Sequence, residues 1–164
     1  MTVSPTSTPT AFTLAAHEGR TAAPLNVVGE ETLVKVSAAD TDGALALFHL
    51  VAPPMSGPPL HVHSREDEAF YVLTGELVFE IDGVRETVAA GGTVFLKRGV
   101  THRYQNFTDR DASLLIAVTP AGFQDFFVEL AAATPPEGGI PPMDVLQAID
   151  ACYGITTLGP PMFE

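Results

Sequence analysis

Positive charge is what this chain has least of. Eight Lys and Arg face 20 Asp and Glu over 164 residues, a formal charge of −12. A surface that acidic repels phosphate backbones and anionic lipid heads, so neither nucleic acid nor a membrane is an expected partner. Cysteine is nearly absent too. Cys152 stands alone, which excludes an internal disulfide and a thiolate zinc cluster. It falls late in an apolar helical stretch and is expected to be a buried packing residue. No apolar run approaches the roughly 18 residues that span a bilayer. The first ten residues hold eight Ser, Thr or Pro, and the first basic residue is Arg20. Neither a secretory signal nor an arginine-rich transit peptide has that form. The expected location is cytoplasmic.

What is present is a core. The hydrophobic share is 46%, enough for one folded domain at this length. Residues 1–11 read as a polar leader, within an N-terminal leader and edge segment that runs to residue 25. From residue 26 to residue 120 short apolar or alternating runs follow one another, separated by turn residues. The runs are Thr32–Ser37, Ala44–Ala52, Leu60–His63, Ala69–Leu73, Glu76–Ile81, Val84–Ala89, Thr93–Leu96, Thr101–Phe107 and Ser113–Val118. Thr74-Gly75 and Asp82-Gly83 have the chemistry of tight hairpins. Many short strands with no helix between them predict an antiparallel sandwich or barrel.

Over residues 121–164 the period changes. Phe123, Phe126, Phe127 and Leu130 recur at helical spacing. Pro135-Pro136 and Gly138-Gly139 end that helix, and Pro141-Pro142 opens a second, with Val145, Leu146 and Ile149 as its apolar stripe and Gly154 as its stop. Two such helices are expected as a lid on an open end of the sheet. A narrower reading has Phe123 and Phe127 also walling a ligand cavity.

The informative segment runs from Gly57 to Gly75 and contains His61-Val-His63 and Glu68. On an extended strand residues i and i+2 face the same way, so His-x-His is a pincer for a cation. Glu68 rejoins that face if residues 64–67 turn, and Ser64, Arg65, Glu66 and Asp67 suit a turn. Glu66 and Asp67 are rival carboxylates, expected to be solvated. His102, after the turn at Gly99-Val100-Thr101, closes the site from a neighbouring strand. His17 and His49 fit no such pattern.

These residues resemble the two motifs of the cupin superfamily. His61, His63, Glu68 and Gly75 fit the first, with four and six residues between Glu68 and its neighbours on either side; Gly91, Gly99, His102 and Asn106 fit the second. The chain departs from the pattern twice: Gly57 precedes His61 by three intervening residues rather than the family's five, and Lys97 replaces the usual proline. The resemblance implies an all-β, double-stranded β-helix (jelly-roll) barrel with a C-terminal two-helix extension. It also implies one divalent transition metal per chain (Fe, Mn, Ni, Co or Zn) on His61, His63, Glu68 and His102. A homodimer is implied by the same likeness. Among single-barrel cupins the layout is similar to quercetinase-like dioxygenases. A substrate hydroxyl would there bind the metal while Glu68 takes its proton, with dioxygen reacting at the electron-rich ring. Phe70, Phe79, Tyr104 and Asn106 are the candidate pocket residues. The leading expectation is a dioxygenase of a small phenolic or hydroxylated carbonyl compound. The alternatives are a metal-dependent isomerase, epimerase or decarboxylase of a sugar or keto acid, and a non-catalytic small-molecule binder.

Overall fold

A computed structural model describes residues 11–136 and 139–163. Most of the polar leader, and Gly138 of the expected helix stop, lie outside the described residues. Strands β1 (Leu25–Val27), β2 (Glu30–Val36), β3 (Ala46–Ala52), β4 (Leu60–His63), β5 (Asp67–Thr74), β6 (Glu76–Ile81), β7 (Val84–Ala89), β8 (Thr93–Leu96), β9 (His102–Gln105) and β10 (Ala112–Thr119) lead to helices α1 (Phe123–Ala133) and α2 (Met143–Tyr153). Strand β11 (Ile155–Gly159) follows them. One sheet runs β1-β2-β3-β10-β5-β8, and the other β11-β4-β9-β6-β7. All their pairings are antiparallel. The two face each other as a jelly-roll barrel.

Strict alternation explains why the sheets close on one core. Ala46, Phe48, Leu50 and Ala52 of β3 point inward, as do Ala112, Leu114, Ile116 and Val118 of β10. The register places Phe48 beside Ile116, Ile116 beside Phe70 and Phe70 beside Val94, a continuous apolar layer across four strands. Burying each such large side chain contributes about 1.5–3 kcal/mol, so a one-residue slip would forfeit the whole layer. The hairpin between β6 and β7 sets its own register: Asp82 and Gly83 both adopt positive φ, 47° and 82°, the geometry a two-residue loop requires.

Phe123, Phe126, Phe127 and Leu130 of α1 are buried as their spacing predicts, with Phe127 edge-on to Phe48 at 4.9 Å between ring centres. On α2 the expected stripe holds at Leu146, which is buried, and at Ile149, which packs against the core, but fails at Val145, which is exposed, while Asp150 is buried. Gly154 ends α2 in the left-handed conformation. Cys152 corrects another expectation, being exposed on α2 because the buried face passes through Leu146 and Asp150 instead. No helix among the described residues is long and apolar enough to cross a membrane.

Two strands are additional to the sequence reading. The short β1 pairs with β2. Strand β11 pairs with β4, setting Ile155 against His63 and Thr157 against His61. The C-terminal segment therefore returns to cover the open edge of the strand that carries the His-x-His pair.

Candidate metal centre

His61 and His63 project from β4 at the two-residue spacing of one strand face. His102 of β9 is paired directly opposite His61. Glu68 arrives differently from the expectation: the turn after His63 carries the chain to β5 in the facing sheet, so the carboxylate closes the site from across the barrel. One donor atom from each of the four residues lies within 4.8 Å of the others. Glu68 Oε2 is 3.0 Å from His102 Nε2 and 3.5 Å from His63 Nε2. Those separations approximate the edges of a coordination polyhedron with bonds near 2.1 Å.

The hydrogen bonding favours a ligand there. His61 Nδ1 lies 2.8 Å from the carbonyl of Pro59, and His102 Nδ1 3.0 Å from that of Val100. A carbonyl only accepts, so Nδ1 must donate, and each ring in its neutral form turns the bare lone pair of Nε2 toward the cluster. His63, Glu68 and His102 are 2%, 5% and 3% exposed. Even so, His63 Nε2, Glu68 Oε2 and His102 Nε2 have no hydrogen-bond partner. Buried polar atoms left unpaired cost about 1–3 kcal/mol each, and one shared cation would satisfy all three. Three imidazoles and one carboxylate suit Fe, Mn, Ni, Co or Zn better than Ca or Mg, which favour all-oxygen shells. The residues present fit a transition metal.

The electrostatics agree. Burial, then the neighbouring His102 and His63, drives His61 down to about 3, so it stays neutral and able to ligate. Burial alone would raise Glu68, but the surrounding imidazoles outweigh it and hold the carboxyl at about 2. Burial would likewise lower His63, and Glu68 and Glu66 raise it instead.

Glu66 therefore departs from its expected solvated place. It is 8% exposed, and its Oε2 faces His63 Nδ1 at 3.5 Å, behind the ring where an orienting carboxylate stands. Asp67 instead accepts from the backbone N–H of Arg98 at 2.8 Å and from its Nε at 2.9 Å. That pair braces the turn in which Lys97 replaces proline, and Lys97 itself is exposed. At the shortened loop before β4, a Cβ on Gly57 would run into the backbone carbonyl of Tyr104, so the close approach of loop and strand requires glycine there.

Beside the cluster lies a cavity of about 90 Å³. Phe70 and Tyr104 line it, as expected, and Phe123 and Phe127 wall it from the lid. Phe79 does not reach it; fully buried, it stacks behind Phe70 and Tyr104 at 5.4 and 5.7 Å. Asn106 does not reach it either. Strand β9 ends at Gln105, and the Asn106 side chain turns to donate to the carbonyls of Ala52 and Arg110 and accept from Thr108. Its work is to fix the loop before β10. Two carboxyls that sequence reasoning missed also face the cavity: Glu30 of β2 and Asp150 of α2. Asp150 accepts from Thr157 Oγ1 at 2.7 Å and is raised by burial. An acid one helical turn after Leu146 on the lid's inner face was the available signal.

Comparison with known proteins agrees with this architecture. Residues 48–118 match the cupin domain family. An oxalate-binding protein of Thermotoga maritima is 35% identical over 66 residues, which are 40% of this chain and 54% of that protein. The chain thus spans little more than half the length of that relative. A crystal structure of a predicted oxalate decarboxylase from Thermotoga maritima superposes with a TM-score of 0.53 at 29% identity, over 56% of this chain and 80% of the other. The structure of KdgF from Halomonas sp. does so with a TM-score of 0.54 at 15% identity, over 59% and 84%, and shows the fold alone. The chain thus carries a cupin domain over residues 48–118, set in a two-sheet jelly roll.

Proposed function

We propose that the chain is a metal-dependent oxidoreductase, a dioxygenase whose second substrate is a small, largely apolar phenol or hydroxylated carbonyl compound. The observation that carries this reading is the composition of the cavity. The four donors open into a space walled by Leu50, Phe70, Ile116, Phe123, Phe126 and Phe127, with no Lys or Arg in the lining. The wall suits an apolar body, with a small number of polar groups to orient it, as in small-molecule sites generally.

A bound divalent metal would supply Lewis acidity to a hydroxyl and, where the ion is redox-active, a path for electrons to dioxygen. The chain's own residues do the rest. His61, His63 and His102 would hold the ion through ring nitrogens, and Glu68 would add one negative charge. Glu68, ionised throughout the physiological range, offers an oxygen to the hydroxyl proton as the substrate docks, and is the proposed catalytic residue. Phe70 and Tyr104 flank the ring, and the α1 phenylalanines exclude water, which strengthens every charge interaction within.

The oxalate-related names of the two Thermotoga maritima relatives favour a second reading, metal-dependent decarboxylation of a small diacid. Charge weighs against it here. Glu30, Glu68 and Asp150 line the cavity and no Lys or Arg does, so a dianion would be offset by the metal alone. The test is to load the protein separately with Fe, Mn, Ni and Co and supply small phenols, a flavonol and oxalate under labelled dioxygen. Expected is dioxygen consumption with both labelled atoms in a product of a phenolic substrate. Formate and carbon dioxide from oxalate, with no dioxygen uptake on any phenol, would replace this reading with the second.

A further inference from the structure

Glu30 is the least explained polar group in the barrel. It points inward from β2 at 2% exposure. Tyr104 donates to its Oε2 at 2.6 Å, and Ser56 donates to its Oε1 at 2.8 Å. No Lys or Arg forms an ion pair with it among the described residues. Two bonds fill about half of the four acceptor positions of a carboxylate, and the group borders the cavity beside Val27, Val28 and Leu50. If Glu30 only joined Tyr104 to Ser56, a neutral amide would do so without the desolvation cost of a buried acid.

Its position is equally specific. Glu31, its neighbour on β2, is paired with Val51, and Val51 with Ser113, whereas Glu68 is paired with Val118. Rows 113 and 118 are five residues apart along β10, while the Tyr104 hydroxyl that reaches Glu30 extends from a residue only two along β9 from His102. The cavity thus runs from the four metal donors at one end toward Glu30 at the other, with Phe70, Ile116 and Tyr104 between.

We propose that Glu30, braced by Tyr104 and Ser56, is a second polar anchor that holds a further hydroxyl of the substrate at the end of the cavity away from the metal donors. The inference rests on the phenol reading and narrows it. The preferred substrates carry two oxygen functions at opposite ends of a flat apolar body, as para-substituted phenols with a terminal hydroxyl do. A compound whose oxygens lie on one edge can reach only one of the two ends.

The test is calorimetric binding to the zinc-loaded, redox-silent protein of two probes of similar shape, 4-hydroxybenzyl alcohol and 4-ethylphenol. The first exchanges a methyl for a hydroxyl. Wild-type protein is expected to bind the alcohol roughly tenfold more tightly, the worth of one well-made hydrogen bond to an acidic group. Glu30→Met should erase that preference while retaining 4-ethylphenol and a full equivalent of zinc. If the lone change unfolds the chain, the triple variant Glu30→Met, Tyr104→Phe, Ser56→Ala removes the stranded partners as well. Equal binding of both probes by wild-type protein would overturn the anchor and leave phenol recognition standing. A preference that survives in a folded Glu30→Met variant would also overturn it. Failure of both probes to bind wild-type protein would overturn the phenol reading and the anchor with it.

Discussion

Replacing Glu30 by Gln should make the metal-free protein more stable at pH 8 than the wild type, and the gain should disappear in acid. Burial raises the Glu30 carboxyl from 4.5 to about 7, against the opposing hydrogen bonds from Tyr104 and Ser56. Between those limits the unfolded chain has released a proton that the folded chain still holds. Stability therefore falls as pH rises through this window and levels off above about 7. The interval of 2.5 units, 7 less 4.5, at about 1.36 kcal/mol per unit sets the loss at roughly 3 kcal/mol. Gln keeps an acceptor for one hydroxyl and a donor for the other, but has no proton to lose. Urea unfolding of both proteins in chelator, from pH 4.5 to pH 8, isolates the effect, because Asp150, Glu68 and the histidines are common to both and cancel in the difference. The difference should move by about 3 kcal/mol in favour of the variant, or roughly 6–12 °C in Tm for a chain of this size. Parallel stability curves would refute the assignment of a buried, proton-holding acid at this position.

Four further outcomes follow from the site and the lid. Zinc at 100 times its Kd contributes about 2.7 kcal/mol, so Tm should rise by roughly 5–11 °C in scanning fluorimetry. Doubly substituted His61→Ala/His63→Ala protein should show no rise and no stoichiometric metal by elemental analysis; an unchanged metal content would place the ion elsewhere. Because Glu68 and Glu66 raise His63 while His61 is held near 3, protons compete with the metal at His63 and not at His61. Chelator competition below neutral pH should then show affinity falling by less than about a thousandfold per pH unit; a slope of three protons would contradict this. Glu66→Gln should weaken zinc binding about 10–100-fold, and an unaltered Kd would remove Glu66 from the site. Cys152 is exposed, so alkylation should proceed on the folded protein without lowering its Tm.

The parts legible in the sequence were those governed by short-range rules. Asp82-Gly83 fixes a hairpin by dihedral preference, and Phe123, Phe126, Phe127 and Leu130 define a helix face by period. His61 and His63 share a strand face through the two-residue repeat. What escaped depends on distant pairing. β11 follows the Gly154 stop as Ile-Thr-Thr-Leu-Gly, a run too short to announce a strand, and it becomes one only because β4 offers an open edge. Asn106 was misassigned because β9 stops at Gln105; once the backbone bends, the alternation that linked it to His102 no longer applies. Glu66 looked like a turn residue and is one, yet the same turn that crosses between the sheets presses it behind His63. Glu30 and Asp150 carried no motif, since an acid among apolar neighbours is visible as unusual only after its surroundings are known to be dry.

The boundary of the cupin match bears on specificity. It spans residues 48–118 and contains all four metal donors. About half of the cavity they open into is built from outside it: Val27, Val28 and Glu30 precede the match, and Phe123, Phe126, Phe127, Leu130, Ile140, Leu146 and Asp150 are among those that follow it. The geometry of the barrel thus fixes where an ion and one substrate atom can sit, which many chemistries can share. The flanking segments fix what shape and charge can lie beside them. A relative similar only over the matched span shares the donor frame without sharing the lid. For that reason the absence of Lys and Arg from the cavity wall is a better guide to this chain's substrate than the oxalate in its relatives' names. Grafting the flanks onto another cupin barrel should carry the proposed preference for apolar hydroxylated compounds with them.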